Sequence, residues 1–309
     1  MILVTGGDGF LGNHLVDHLR LKKKSVIYTT RNKNLAHLKD NEDKLFIDFS
    51  KNIDANKISH KFDTIIHTVG ISQNDCRNDL TLATAVNTNS TIELAKIAVK
   101  KSIKKFIYLS TVHVYGKNLK GNIDENSHLN PFDNYSSSKL NTEIELTKIF
   151  RNTEVNLIIL RLSNVFGAPL NYDANIWHLI GPHLCKQAIF KKKMELLSNG
   201  KQVRDFLGIN DFLNIISELT VKDFNKCNVI YNCGSGMPIT INNFAKLIKT
   251  RYHRLFSEDV ELFLGSDDSD KSDYNFNVER LMYEVGISLK NNISEEIDIF
   301  LKFIYQQKS

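Results

Sequence analysis

Residues 2–21 set the tightest constraint on how this chain folds. The apolar run Ile2–Thr5 reads as a buried strand. It passes directly into Gly6-Gly7-Asp8-Gly9-Phe10-Leu11-Gly12, which opens the amphipathic stretch Leu11–Leu21. In a strand–turn–helix unit, glycines spaced like Gly6, Gly9 and Gly12 serve a tight turn, a close backbone approach to a pyrophosphate, and packing of the helix on the strand. The helix N-terminus aims its partial positive charge at the same point. A glycine-rich turn is a weak signal by itself. Directly after an N-terminal strand and opening a helix, it points to a dinucleotide rather than to a plain connection.

The following segments extend the pattern. Val26–Thr29, Leu45–Phe49, Thr64–Val69, Phe106–Ser110 and Leu157–Leu162 are short apolar runs that read as buried strands. Amphipathic stretches Thr81–Lys101 and Ser136–Phe150 lie between them. Alternation of this kind predicts a parallel sheet covered by helices on both faces. After Gly167 the pattern loosens into short strands such as Val229–Cys233 and helices such as Asn242–Arg251 and Ile293–Tyr305. The expected organisation is a dinucleotide-binding domain over residues 1–167. A mainly substrate-binding region over 168–309 follows, some of whose elements return to the first domain.

Composition narrows the function. With 42% hydrophobic and 24% charged residues, the 309-residue chain is ordinary globular material. No apolar stretch is long enough to span a membrane, and the N-terminus lacks the basic and small-residue features of a secretory signal. A cytoplasmic protein is expected. Cys76, Cys185, Cys227 and Cys233 are scattered without CxxC pairing, which predicts free thiols and no metal site. The net charge of +5 includes Lys22-Lys23-Lys24 and Lys191-Lys192-Lys193. These runs are short and lack interleaved aromatics, so they read as solvated surface rather than a nucleic-acid interface, while the mildly positive field suits a diphosphate-bearing substrate.

The residues around two later segments carry chemistry. The fifth strand ends Leu109-Ser110-Thr111-Val112-His113-Val114-Tyr115-Gly116, and Tyr135-Ser136-Ser137-Ser138-Lys139 follows. Tyr135 and Lys139 are four apart and share one face of a helix. A free tyrosine titrates near ~10, and a neighbouring ammonium together with an oxidised nicotinamide favours its phenolate. Tyr135 is thus the candidate acid/base, Lys139 its orienting partner, and Thr111, at the ligand-binding edge of a parallel sheet, a donor to the same reacting oxygen. YxxxK by itself is common. Its order after the glycine turn and the Ser/Thr strand end is what makes it informative.

Cofactor choice rests on the end of the second strand. An acid there reads the ribose hydroxyl of NAD, whereas Arg accommodates the extra phosphate of NADP. The segment Tyr28-Thr29-Thr30-Arg31-Asn32-Lys33 has no acid and two cations, so NADP(H) is the expectation, through Arg31, with NAD(H) as the alternative because Asp8 in the glycine loop would repel a phosphate. Asp48, after the third strand, either bonds the adenine amino group or closes a surface turn.

These motifs together resemble an extended short-chain dehydrogenase/reductase of the nucleotide-sugar epimerase/dehydratase type, over nearly the whole length. Thr5–Gly12 is similar to the family's nucleotide loop, which implies cofactor contacts from Gly6, Asp8, Gly9, Phe10, Leu11 and Gly12. Asp63–Gly70 resembles the fourth strand lining the cofactor, and Asn87 stands where the family has a structural Asn. Arg161–Gly167 resembles the sixth-strand motif, so Asn164 is implied to contact substrate. Gly200–Phe206 resembles the segment whose Arg reaches the substrate's nucleotide, here Arg204; a local pair with Asp205 or Asp211 is the alternative. Thr111 falls on the family's catalytic Ser/Thr. Where 4,6-dehydratases carry Thr-Asp-Glu, this chain has Thr111-Val112-His113. Val112 does no proton chemistry, which argues against 4,6-dehydration. His113 is either a packing and substrate-contact residue or an extra acid/base group. His67, in an apolar strand, reads as a satisfied core residue.

The resulting expectation is an α/β fold with a doubly wound parallel (Rossmann) sheet and a smaller, mainly C-terminal substrate-binding region. It implies an NAD(P)-dependent enzyme moving a hydride at C4 of a nucleotide-sugar, as a dehydrogenase or reductase. A 4-epimerase that retains its cofactor is the main alternative, and a non-enzymatic dinucleotide sensor the remaining one. The family's helical dimer contact implies a homodimer through Thr81–Lys101 and Ser136–Phe150.

Overall fold

The computed structural model describes residues 1–31, 43–58, 61–224 and 228–308. In chain order its elements are β1 (Ile2–Thr5), α1 (Phe10–Leu21), β2 (Val26–Thr30), β3 (Lys44–Phe46), β4 (Thr64–His67), α2 (Gln73–Asn78), α3 (Leu80–Ala83), α4 (Ser90–Lys100), β5 (Lys105–Thr111), β6 (Lys120–Ile123), α5 (Asn134–Phe150), β7 (Asn156–Leu162) and β8 (Asn164–Phe166). They continue with α6 (Ile180–Lys191), β9 (Lys193–Ser198), β10 (Val203–Arg204), β11 (Phe206–Gly208), α7 (Ile209–Val221), β12 (Asn228–Cys233), β13 (Ile239–Thr240), α8 (Ile241–Phe256), β14 (Glu261–Asp267), β15 (Asp273–Phe276), α9 (Glu279–Val285) and α10 (Ile293–Gln306).

Seven strands form one sheet in the order β12-β7-β5-β4-β1-β2-β3. From β3 to β5 every neighbouring pair is parallel. The chain builds outward from β1 through β2 and β3, then restarts on the other side with β4, so the connections diverge between β1 and β4. Ligands of open α/β sheets bind at such a switch point, outside the carboxyl ends of the strands. Strands β1, β4 and β5 are buried along their whole length, which is why each reads as an unbroken apolar run. Their core is shared with helix side chains, including Leu94, Ala98, Leu146 and Phe150.

The chain divides into two compact units. The first holds 1–116, 128–161 and 216–231; the second holds 117–127, 162–215 and 232–309. Within the first, the segment 216–231 supplies the latter part of α7 and most of β12. Lys105, at the start of β5, closes the C-terminus of α7: its ammonium donates to the carbonyls of Leu219, Thr220 and Lys222 at 2.6, 3.1 and 2.7 Å. These are carbonyls a helix end leaves without internal partners. The second unit pairs short strands over long sequence separations, as β8 with β11, β9 with β14 and β6 with β15.

Two expected elements differ from the structure. The strand expected over Leu45–Phe49 ends at Phe46, because the Asp48 carboxylate captures the N–H and hydroxyl of Ser50 at 3.0 and 2.7 Å and turns the chain. The helix expected over Thr81–Lys101 is interrupted by a wide π-helical turn, Thr84–Asn89. There the carbonyl of Asn87 accepts the hydroxyls of Thr91 and Thr142 at 3.0 and 3.1 Å, so side chains replace the regular ladder. Among the described residues no helix is long and apolar enough to cross a membrane. Cys76, Cys185 and Cys233 are free and buried; Cys227, like Asn32 and Lys33, lies outside the described residues.

Candidate active site

The carboxyl ends of β1 and β5 deliver the first group of residues. Gly6 leaves β1 with φ +72°, its N–H donating to Thr29 Oγ1 at 2.9 Å, and the Gly9 N–H returns to the Gly6 carbonyl at 3.0 Å. A Cβ built on Gly12 would stand 2.1 Å from that same carbonyl oxygen, so only glycine lets α1 pack on the turn. Gly9 is different: a Cβ there meets nothing closer than Gly6 O at 3.2 Å. The N-terminus of α1 has no side-chain cap and no acid in its first turn. An open backbone loop ahead of uncapped helix N–H groups fits a dinucleotide pyrophosphate. Gly9→Val should therefore stay folded, with at most a small drop in melting temperature as the Gly6 carbonyl gives way, while dinucleotide Kd rises at least about tenfold, some 1.4 kcal/mol. An unaltered Kd by fluorescence titration would place the pyrophosphate elsewhere.

Asp8 projects from this loop to the end of β2, where its carboxylate accepts the Thr30 hydroxyl. Arg31 is exposed one residue further on. Asp48 is taken up in its own turn with Ser50, and hydrogen bonds from Ser50 hold its carboxyl below the usual range.

The second group surrounds α5. This helix starts at a capping box, in which Asp133 accepts the Ser136 N–H at 2.8 Å and the Ser136 hydroxyl reaches back to the Asp133 N–H. Gln73 of α2 donates to the other Asp133 oxygen. The cap fixes Tyr135 in the first turn and Lys139 one turn later. Tyr135 hydrogen-bonds the Thr111 side chain, and Thr111 also accepts the His113 N–H at 3.3 Å. Lys139 is buried, donates to the Leu109 carbonyl at 2.9 Å, and lies 6.0 Å from the centre of the Tyr135 ring. Burial pushes the Lys139 ammonium down to about 8. It pushes the Tyr135 phenol up to about 12, outweighing the Thr111 hydrogen bond. The protein without its cofactor therefore leaves the phenol raised, and of the two charges expected to favour the phenolate, Lys139 and an oxidised nicotinamide, the first does not suffice.

Sequence reasoning missed the scaffold behind these residues. Glu143, on the same buried face of α5 as Lys139, receives Arg161 Nη2 at 2.8 Å and the Ser110 hydroxyl, and Arg161 Nη1 donates to the Tyr115 hydroxyl at 3.0 Å. Both charged side chains are 3% exposed. The pair ties β5, α5 and β7 together beside Thr111. One sign was present: an arginine inside the otherwise apolar run 157–162. Asn87 is a second such group, accepting the Ile71 N–H at 2.9 Å and donating to Ser138 and Cys76. His67 is fully buried between the hydroxyls of Thr5 and Thr91, at 2.8 and 2.9 Å, and burial lowers it to about 3.

Asn164 and Arg204 belong to the second unit. The Asn164 amide donates to the Asp205 carbonyl at 2.9 Å. Arg204 forms an ion pair with Asp270 and donates to the Val203 carbonyl at 2.7 Å. The acids expected as its alternative partners are engaged elsewhere: Asp205 accepts from Ser235 and Asp211 from the backbone of Lys290 and Asn291.

The model of the NAD dependent epimerase/dehydratase family matches residues 2–234. The chain belongs to this family. It is 27% identical to "Uncharacterized UDP-glucose epimerase YtcB" of Bacillus subtilis (strain 168), over 99% of both chains. It is also 27% identical to the dTDP-D-glucose 4,6-dehydratase of Homo sapiens, over 79% of this chain and 72% of that one. The structure of UDP-glucuronic acid 4-epimerase from Bacillus cereus, in complex with UDP-glucuronic acid and NAD, has the same fold. Its TM-score is 0.83, with 21% identity and 99% of each chain covered. This member of the epimerase/dehydratase family is an enzyme, and its Thr111, Tyr135 and Lys139 are brought together in the first unit.

Proposed function

We propose that this enzyme oxidises and re-reduces C4 of the sugar ring of a nucleotide-sugar, with NAD as its cofactor. The observation that carries the reading is the Thr111–Tyr135–Lys139 group at the carboxyl end of β5, on the same sheet edge as the glycine turn. A nicotinamide held by the glycine turn would supply hydride transfer at C4, and its positive charge when oxidised would favour the Tyr135 phenolate. Tyr135 takes the proton of the sugar hydroxyl and later gives it back. Thr111 donates to the same oxygen and orients the phenol; Lys139, anchored on Leu109, adds a positive charge that does not move.

The sequence alone does not separate net oxidation or reduction from 4-epimerisation. The epimerases among the relatives favour a hydride that returns, so a 4-epimerase is the stronger reading. Val112 between Thr111 and His113 argues against 4,6-dehydration, because its side chain can neither donate nor accept a proton. Asn164 and Arg204 are proposed to contact the substrate, Arg204 by gripping the diphosphate with its planar fork of donors, which then competes with Asp270. Leu80, Leu82 and Ile144 are exposed apolar residues on α3 and α5, in keeping with a homodimer formed along those helices. The test is a screen of UDP-, dTDP-, GDP- and CDP-sugars, following nicotinamide absorbance and product mass. A C4 epimer formed without net NADH supports the reading; a dehydrated product refutes it.

NAD rather than NADP follows from Asp8. Its carboxylate sits on Thr30, at the strand end that reads the ribose, and a 2′-phosphate there meets negative charge. Asp8→Ala should shift the NAD/NADP preference towards NADP by about tenfold, while Arg31→Ala should leave it unmoved. Selective loss of NADP binding in Arg31→Ala would reverse the assignment.

A further inference from the structure

His113 is not used by the reaction as set out above, yet it stands against its acid/base. It follows Thr111 on the tight 3₁₀ turn Val112–Tyr115. Val112, Val114 and Tyr115 of that turn are buried, whereas His113 is half-buried. Its ring meets the Tyr135 ring edge-on at 6.4 Å between centres, and that of Phe132 at 5.7 Å. The Asp133 carboxyl lies close by: burial pushes it up, but hydrogen bonds from Gln73 and Ser136 and the neighbouring His113 outweigh that and hold it below the usual range. The imidazole thus has a phenol beside it and an ionised carboxylate within electrostatic reach.

We propose that His113 is a second proton-transfer residue, which removes and returns the proton on a ring carbon next to C4. The proposal rests on the reading of Tyr135 as acid/base at C4. Once C4 is a ketone, the C–H bonds at C3 and C5 become acidic. His113 takes that proton; the C–H electron pair becomes an enolate delocalised onto O4, where the hydroxyls of Tyr135 and Thr111 stabilise it. Return of a proton to carbon, from the imidazolium, restores the ketone. No electrons are gained or lost, and the exchanged proton comes from water. An imidazole is suited to this because its ordinary pKa of about 6.5 leaves both forms available near neutrality. A histidine that only packs against Tyr135 and Phe132 would exchange nothing.

The experiment is solvent exchange in D2O, with UDP-glucose, UDP-glucuronic acid, UDP-N-acetylglucosamine and dTDP-glucose as probes. Recovered sugar is analysed by mass and NMR for deuterium at C3 or C5, and conversion at C4 is counted in the same samples. The wild type should incorporate deuterium. In His113→Ala, deuterium gained per C4 conversion should fall about 10²-fold or more, with dinucleotide Kd and melting temperature unchanged, and added imidazole should restore it. C4 conversion without deuterium in the wild type, or undiminished exchange in His113→Ala, overturns the proposal while leaving the C4 reading intact. Absence of C4 chemistry on every sugar overturns both.

Discussion

Tyr135→Phe should lose about 10²–10⁴-fold in turnover, the range expected when a positioned acid/base is removed, and should do so without unfolding. The substitution deletes one hydroxyl from a ring that is only half-buried. Thr111 keeps its hydrogen bond from the His113 N–H, so no buried acceptor is orphaned. The capping box at Asp133 and Ser136 is untouched, and with it the helix that presents the ring. kcat and kcat/KM should fall together, because the lost proton transfer belongs to the transition state. Dinucleotide Kd, measured by titration of the same sample, should stay close to the wild type. Turnover within tenfold of the wild type would remove Tyr135 from the mechanism.

Arg161→Met carries the largest expected cost in stability, about 3–5 kcal/mol, the range for removing one partner of a buried ion pair. Glu143 would be left as a buried carboxylate with the Ser110 hydroxyl and the more distant Lys139 charge in place of its ion pair, and the Tyr115 hydroxyl would lose the Arg161 donor. Urea unfolding would read the loss directly. The double variant Arg161→Met with Glu143→Leu separates the pair from the space it fills. If the charge left behind is the main cost, the double variant recovers much of the single variant's loss, and the two substitutions are far from additive. Equal or greater instability in the double variant would mean that packing by these two side chains outweighs their charge.

What could be read in the sequence follows from the kind of signal each part carries. The strands β1, β4, β5 and β7 lie in the sheet interior and are buried, so a run of apolar residues marks them to within a few residues. The helix α5 was legible as the amphipathic stretch 136–150, whereas the capping box of Asp133 and Ser136 that starts it came from the structure. Four things lay outside that signal. The π-helical turn at Thr84–Asn89 depends on Thr142, a residue on another helix. The Arg161–Glu143 pair is a contact between strand and helix, which neither element's own periodicity encodes. The placement of Asp8 on Thr30 required knowing how the glycine loop folds back over β2, and the proposal of NAD over NADP rests on that contact. In the second unit, β6 pairs with β15 and β9 with β14, partners so distant in sequence that pattern alone cannot match them.

The position of β12 bears on how the chain reaches its native state during synthesis. β7 lies between β5 and β12 in the sheet, so a nascent chain that has emerged only to Gly167 presents β7 as an unpaired edge, apolar along nearly its whole length. Such an edge invites pairing with other chains. Lys105 would at that stage have none of the α7 carbonyls that later receive its ammonium. The glycine loop, Thr111, Tyr135 and Lys139 are all translated before this point, yet the sheet that holds them is completed only after most of the chain has left the ribosome. Ribosome-arrested chains ending before and after Cys233 should accordingly differ sharply in protease resistance.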